Sequence, residues 1–166
     1  MKAKIFVKLW AASAGCALLL GASPAMSADA QNASGAPAVP GKQAVDDRKA
    51  LFTLIGASFR PIAEILRGNI TYNSVDVGKY TTRVTLLATF LGDAFPEASQ
   101  LGDTRAKAEV WSNRADFDRR VTDFHDHALS LAQLAARFEG NTDAFKAAAR
   151  TVAQDCKSCH DQYRNK

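Results

Sequence analysis

The sequence near the C-terminus reads Cys156-Lys157-Ser158-Cys159-His160, and the rest of the chain is organised around this stretch. In a Cys-x-x-Cys-His pattern, two thiols bond covalently to a porphyrin and the adjacent imidazole binds its iron. Positions three apart lie on one face of a helix, so both thiols can meet one porphyrin edge while His160 lies beneath the ring. The pattern predicts one haem c, attached through Cys156 and Cys159, with His160 as an axial ligand of the iron.

Three other kinds of site share part of this pattern. A thioredoxin-like redox pair prefers a β-α-β context near the start of a domain, whereas this pair lies in a helical tail. A zinc site needs further ligands at metal spacing, and His125 and His127 are a poor source of them. A structural disulfide requires no histidine. Haem attachment uses all three residues of the motif, and the exported context described next agrees with it.

Residues 1–28 have the pattern of a Sec-type signal peptide. Three lysines precede an apolar run over 9–22, and small residues follow it over 23–30. The run is too short for a spanning helix, so we expect export to the periplasm without a membrane anchor. Cleavage is expected after Ser27, Ala28 or Ala30. Lipid attachment at Cys16 is disfavoured, because Ser13 stands where a larger apolar residue is preferred.

The net charge of the whole chain is dominated by this segment. Three of the 21 Lys and Arg residues lie in it, which leaves 18 against 17 acidic residues. The mature protein therefore carries a charge of about +1, and two haem propionates would bring it to about −1. The basic composition is no argument for nucleic-acid binding. Removal of the segment also removes Cys16, so the two haem cysteines are the only ones left and no structural disulfide is expected.

Residues 29–41 are rich in Ala, Gly, Pro and Ser, which predicts a flexible leader before a single domain over 42–166. Within that domain, apolar residues recur at steps of three and four in four segments. The four stripes are Arg48, Phe52, Ile55, Phe59, Ile62 and Leu66; then Val77, Tyr80, Val84, Leu87 and Leu91; then Phe117, Val121, Phe124, Ala128, Leu131, Ala135 and Phe138; and last Phe145, Ala149, Val152, Cys156, Cys159 and Tyr163.

These stripes predict an all-α fold, an antiparallel four-helix bundle with haem c held inside and attached to the C-terminal helix. A solenoid is disfavoured, because no repeat of helix-pair length recurs. Glycine, proline and capping residues give the expected bounds: a first helix bent at Pro61 and ending near Gly68, a second from Asn73 or Ser74 to Gly92, a third that reaches Gly140, and a fourth from Asn141.

Three stretches together resemble cytochrome c′, a class II c-type cytochrome. They are the haem motif with its flanks over 155–164, the element over 102–104 with 109–112, and the opening over 48–52. The resemblance covers residues 43–166. A haem motif at the extreme C-terminus marks this class, since small class I cytochromes carry it near the N-terminus.

The coordination position opposite His160 decides what the iron can do. The only methionines are Met1 and Met26, both in the signal region, so the mature protein cannot form His/Met-ligated iron. His125 and His127 are about 200° apart around the third helix, so at most one faces inward, and solvated histidines are the ordinary interpretation.

By resemblance, the residue over the distal face lies four beyond Arg48, at Phe52, with Leu51 as the neighbour if the register shifts by one. Phenylalanine cannot bind iron. The expectation is therefore pentacoordinate, high-spin haem; the alternative is a dedicated electron carrier with six-coordinate, low-spin haem.

The resemblance implies further roles around the haem. It implies that Arg48 binds a haem propionate, with Lys49 and Thr104 as weaker contacts at the haem edge. It also implies that Arg164, four residues after His160, lies in the proximal pocket and accompanies NO bound there. A solvated surface residue is the alternative for each of them. The family is often homodimeric through its first two helices, which makes a homodimer possible here.

Two classes of function agree with these features. One, which the resemblance implies, is a periplasmic protein that binds NO and CO and discriminates against O2, and the other is a one-electron carrier with an unknown redox partner. An enzyme such as a peroxidase is disfavoured, because no pair of distal His and Arg is present to cleave an O–O bond. We therefore expect a ligand-binding cytochrome capable of one-electron transfer and not an enzyme.

Overall fold

The computed structural model describes residues 41–100, 102–137 and 140–166, and it is helical. The helices are α1 (Gly41–Leu66), α2 (Ser74–Ala88), a short α3 (Glu109–Ser112), α4 (Arg114–Ala136) and α5 (Asp143–Tyr163), with a 3₁₀ turn at Glu97–Ser99. These ranges contain no strand, only one isolated antiparallel bridge between Ala106 and Arg164. The predicted signal peptide and residues 29–40 of the predicted leader lie outside the described residues, as does Phe138.

The four long helices form a ring in which each packs against two others. Helix α1 contacts α2 and α5, and α4 contacts the same two helices. The apolar stripes cause this arrangement, because each helix can remove its stripe from water only against its neighbours. The predicted four-helix bundle is confirmed. None of the helices in the described part of the chain has the length and apolarity needed to cross a bilayer.

Side-chain hydrogen bonds are found at both ends of α2. Asn73 caps α2 as predicted, since its side chain accepts a hydrogen bond from the Asp76 amide at 3.0 Å. The end of α2 differs from the prediction: it comes at Ala88 and not at Gly92. The Thr89 hydroxyl donates to the carbonyl of Leu86 at 2.7 Å, and the following residues form turns. This early end leaves residues 89–100 and 102–108 in the connection between α2 and α3.

The ends of α1 and the start of α5 are also set by single residues. Helix α1 begins at Gly41, where a Cβ would overlap the carbonyl oxygen of Ala98, so glycine permits this close approach. It ends at Leu66, near Gly68 as predicted, and Gly68 has a φ of 80°, which favours glycine. Helix α5 begins at Asp143, later than expected, because Thr142 and not Asn141 is its cap. The Thr142 side chain accepts from the amide of Phe145 at 3.2 Å.

The interior has two clusters of buried side chains. The main core runs between all four long helices, and a smaller cluster next to α3 contains Phe95, Val110, Phe117 and Tyr163. The predicted first stripe needs one correction. Phe52 is 36% exposed, while Ile55 and Ile62 on the same helix are buried. The reason is that Phe52 faces a cavity between the two clusters and not a neighbouring helix.

Candidate haem-binding site

A cavity of about 610 Å³ lies between the two apolar clusters, with walls from α1, α3, α4, α5 and five residues of the connection between α2 and α3: Leu91, Phe95, Thr104, Arg105 and Ala106. Its size is that of a pocket for a cofactor or drug-sized ligand. Every residue that the sequence singles out for the site lines this cavity: Arg48, Lys49, Phe52, Thr104, Cys156, Cys159, His160 and Arg164. The bundle thus brings together side chains from both ends of the domain.

Helix α5 carries both cysteines to the cavity wall, and neither forms a disulfide. Burial raises the pKa of the Cys156 thiol to about 11, and the nearby carboxylate of Asp155 adds to the effect. Burial also raises the pKa of Cys159. Both thiols are therefore protonated near neutral pH, which makes them poor nucleophiles and apolar parts of the wall. They lie where a covalent link to a group in the cavity requires them.

His160 lies beside the second thiol on the same wall. Partial burial lowers the pKa of His160, and the charges of Arg164 and Arg105 lower it further. An imidazole in this environment is neutral near pH 7, so one ring nitrogen has a free lone pair for a metal. The side chain thus has the protonation state that an axial iron ligand needs.

Phe52 is the aromatic side chain that approaches this imidazole. The two ring centroids are 6.1 Å apart with an angle of 62° between the planes. The neighbouring Leu51 packs against the main core and is not part of the cavity lining. Of the two possible registers on α1, the structure therefore brings Phe52 to the cavity.

Arg48 is buried, with 4% of its surface exposed, and connects α1 to the loop that follows α2. Its guanidinium donates to the carbonyl of Ala94 at 3.1 Å, the hydroxyl of Ser99 at 3.0 Å and the hydroxyl of Thr104 at 2.7 Å. It also lies 4.5 Å above the ring of Phe95. Burial lowers the pKa of Arg48. The sequence did not reveal this cross-link, because the acceptors lie far along the chain in a loop without periodicity.

The two other histidines lie outside the cavity lining. The Nδ1 atom of His127 is 2.8 Å from a carboxylate oxygen of Asp155, while His125 contacts Asp126. Asp155 itself lines the cavity beside Cys156, so the His127 pair connects α4 to α5 at the rim of the site. Neither imidazole lies opposite His160.

One partly buried polar cluster was missed by the sequence analysis. The phenol of Tyr163 donates to a carboxylate oxygen of Asp116 at 2.6 Å, and Arg120 donates to the same oxygen at 2.6 Å. These bonds, with a third from Arg119, hold the pKa of Asp116 far below its usual range. Burial and the bond to Asp116 raise the pKa of Tyr163 to about 12. The Asp116–Arg119–Arg120 spacing on one helix was visible in the sequence, but its contact with Tyr163 depends on the fold.

Arg164 lines the cavity in an extended conformation. It follows His160 by four residues, but α5 ends at Tyr163, and Arg164 has φ −125° and ψ 131°. Its amide still donates to the carbonyl of His160 at 3.1 Å. The antiparallel bridge to Ala106 holds Arg164 in this position.

The residues present fit a covalently bound haem. Two thiols and a neutral imidazole lie on one wall, apolar side chains such as Leu91, Phe95 and Phe124 form others, and four exposed cations lie at the lining: Lys49, Arg60, Arg105 and Arg164. Thioether links, an iron ligand, a ring-shaped apolar body and anionic propionates each find a suitable partner in this set.

The sequence is similar to those of known proteins. The family model for cytochrome c′ matches residues 43–164. Cytochrome c′ of Alcaligenes xylosoxydans xylosoxydans is 30% identical over 125 residues, which is 75% of this chain and 95% of that protein. Cytochrome c-556 of Agrobacterium tumefaciens (strain II Chrys) is 32% identical over 123 residues, which is 74% of this chain and 97% of that protein.

Solved structures give the same result. Cytochrome c prime from Shewanella frigidimarina has a TM-score of 0.71 at 30% identity and covers 75% of this chain and 96% of its own. The nitric oxide complex of a mutant of cytochrome c prime from Alcaligenes xylosoxidans has a TM-score of 0.69 at 27% identity, covering 77% and 98%. The chain therefore belongs to the cytochrome c′ family, whose members carry covalently attached haem c.

Proposed function

We propose that this protein is a periplasmic cytochrome c′ with pentacoordinate, high-spin haem that binds NO and CO and is capable of one-electron transfer. The observation that carries the proposal is the pairing of His160 with Phe52 at the cavity. Among the described residues of the lining, His160 is the one imidazole, and no methionine occurs after Met26. A phenyl ring cannot bind iron, so it supports an open sixth position.

When bound, haem iron supplies one-electron chemistry and a coordination position for small ligands. This chain's residues determine which ligands can use that position. His160 would supply a neutral nitrogen to the iron, while Cys156 and Cys159 would hold the porphyrin covalently. The ring of Phe52 offers no hydrogen-bond donor, so water and anions gain little by binding beside it. Neutral NO and CO need no such donor, whereas bound O2 is stabilised by one.

The side chains that line the cavity favour a ligand-binding protein over a peroxidase. Cleavage of an O–O bond needs an acid–base group that can move a proton beside the iron. The side chain beside His160 is Phe52, which cannot transfer a proton, and the nearby Arg48 is held by acceptors on three loop residues. We also propose that Arg48, with Lys49 and Thr104 as weaker contacts, binds a haem propionate. All three residues line the cavity.

The periplasmic location is supported by the pattern of residues 1–28, in which lysines, an apolar run and small residues follow in order.

Ligand titration of the purified ferrous protein tests this function. NO and CO are each expected to change the Soret absorption and to saturate at one ligand per haem, whereas O2 is expected to oxidise the haem without a stable adduct. A control in which Phe52→His supplies a competing imidazole should bind CO more weakly, because the ligand must then displace it. A stable O2 complex of the unmodified protein, or no spectral response to NO and CO, would contradict the proposal.

We also propose a homodimer through α1 and α2, as the resemblance implies. Val75 and Leu86 are 59% and 60% exposed, and Leu54 on α1 is 54% exposed. Val75 and Leu86 are separated by about three helical turns, so they share one face of α2. Leu86→Glu should shift sedimentation velocity from dimer to monomer, because a charge would be buried in the interface. Leu129→Glu, at an exposed position on α4, is the matched control that should leave the dimer intact. A monomeric unmodified protein would contradict the proposal.

A further inference from the structure

The last turn of α5 ends beside His160, and its four carbonyl groups all find donors. A helix leaves its last four carbonyls without intrahelical partners unless something supplies them. Here the carbonyl of His160 accepts from the Arg164 amide at 3.1 Å. The carbonyls of Asp161 and Gln162 accept from the Lys107 ammonium at 3.0 and 3.1 Å, and that of Tyr163 accepts from the Lys107 amide at 2.9 Å. Lys107 therefore satisfies three of the four.

These contacts decide where α5 stops. If the helix continued, the amides of Asn165 and Lys166 would bond to the carbonyls of Asp161 and Gln162. Instead the amide of Asn165 donates to the carbonyl of Arg105 at 2.8 Å, and the Lys107 ammonium takes over both helical carbonyls. A cation at this end of a helix is also favoured by the helix dipole. The chain leaves the helix at Arg164 because residues 105–107 replace its next turn.

Residues 105–107, which we call the capping segment, connect both sides of the site. On one side the segment pairs with residues 163–165 through the bridge between Ala106 and Arg164. On the other side it follows Thr104, whose hydroxyl accepts from the amide of Ala106 at 3.1 Å and from Arg48 at 2.7 Å. The capping segment is thus held by α1 and in turn holds the end of α5.

We propose that Lys107 is a positioning residue for the proximal side of the haem, because it fixes the extended conformation that keeps Arg164 beside His160. The inference rests on the proposed function, in which haem is ligated by His160 and Arg164 lies in the proximal pocket. Lys107 itself does not line the cavity, so it acts through Arg164 and not by contact. The position of Arg164 thus depends on a residue that comes before α3 in the chain.

The test compares four single variants of the haem-loaded protein and the double variant Lys107→Met/Arg164→Ala. Lys107→Met keeps the aliphatic stem but removes the ammonium, and Lys107→Arg restores donors for both carbonyls. Arg164→Ala removes the positioned side chain. Lys157→Met is the matched control, because Lys157 lies on α5 itself and pairs with the exposed carboxylate of Asp161 and not with the backbone.

Two readouts are measured without added ligand: the iron–histidine stretching band in resonance Raman spectra, and amide hydrogen exchange at Asn165. Lys107→Met should shift the band in the same direction as Arg164→Ala and speed exchange at Asn165 by at least about tenfold. The double variant should shift the band no further than Arg164→Ala alone, since both substitutions remove the same effect of the Arg164 side chain on His160. Lys107→Arg should return the band towards its original position, and Lys157→Met should leave both readouts unchanged.

An unchanged band in Lys107→Met, with Arg164→Ala shifting it, would overturn the inference and leave the proposed function intact. Additive shifts in the double variant would overturn it as well. If no variant shifts the band and NO and CO fail to bind, the proposed function fails. The exchange at Asn165 then still reports whether Lys107 holds the end of α5.

Discussion

Replacing both cysteines, in the variant Cys156→Ala/Cys159→Ala, is expected to release the haem completely on extraction with acidified acetone. In the unmodified protein the haem should stay in the protein fraction, because two thioether bonds hold it. His160 and the cavity would remain in the double variant, so haem could still bind without a covalent link. The measurement is the fraction of haem absorbance left with the precipitated protein.

The same variant should lose stability, because the cavity lies between the two apolar clusters and contacts both. A group that binds only the folded state stabilises it, so haem that dissociates from the double variant should lower the free energy of unfolding by about 3 kcal/mol or more if its binding was tight. Thermal unfolding followed by circular dichroism should show the decrease. The single variant Cys159→Ala is the control, since one thioether bond should keep the haem attached. Haem that resists extraction in the double variant would show that another residue holds it.

The second large effect is expected at Phe52. In Phe52→Ala the ring no longer stands beside His160, so CO should reach the iron without waiting for a side-chain movement. We expect association to accelerate about 10- to 100-fold, which corresponds to roughly 1.4–2.7 kcal/mol of barrier. Stopped-flow mixing of the ferrous variant with CO measures this rate directly.

Stability gives an independent control on the same side chain. Truncation of a fully buried Phe costs about 3–5 kcal/mol, but Phe52 is 36% exposed, so a loss of about 1–3 kcal/mol is expected. Leu51→Ala is the matched variant: Leu51 packs against the main core without lining the cavity, so it should lose stability and keep its CO kinetics. Unchanged kinetics in Phe52→Ala, or faster binding only in Leu51→Ala, would refute the assignment of Phe52 to the distal face.

The bundle could be predicted from the sequence because its cause is periodic. Positions such as Ile62, Val84, Leu131 and Val152 recur at helical spacing, and each is buried in the structure. The haem motif could also be predicted from the sequence, since its three chemical groups lie within one short stretch of a single helix. The spacing of residues along the sequence therefore predicted both the fold class and the haem attachment site.

Features that depend on loops could not be predicted in the same way. The acceptors of Arg48 at Ala94, Ser99 and Thr104 lie in the loop after α2, where no period links sequence to position. The extended conformation of Arg164 depends on Lys107, which is far away in the sequence. Phe52 is a different case: it lines the cavity, and it was singled out by the family resemblance, because an apolar stripe alone does not distinguish a neighbouring helix from a cofactor pocket.

The proposed function depends most directly on an open sixth position at the iron, and the spin state of the ligand-free protein tests whether that position is open. Optical, EPR and resonance Raman spectra near neutral pH should show pentacoordinate, high-spin iron in both the ferric and the ferrous form. Phe52→Met provides the reference for the other outcome, because a thioether in that place would give low-spin iron. A low-spin ferrous spectrum of the unmodified protein, with sharp and split visible bands, would contradict the account and point to His125 or His127 as a sixth ligand.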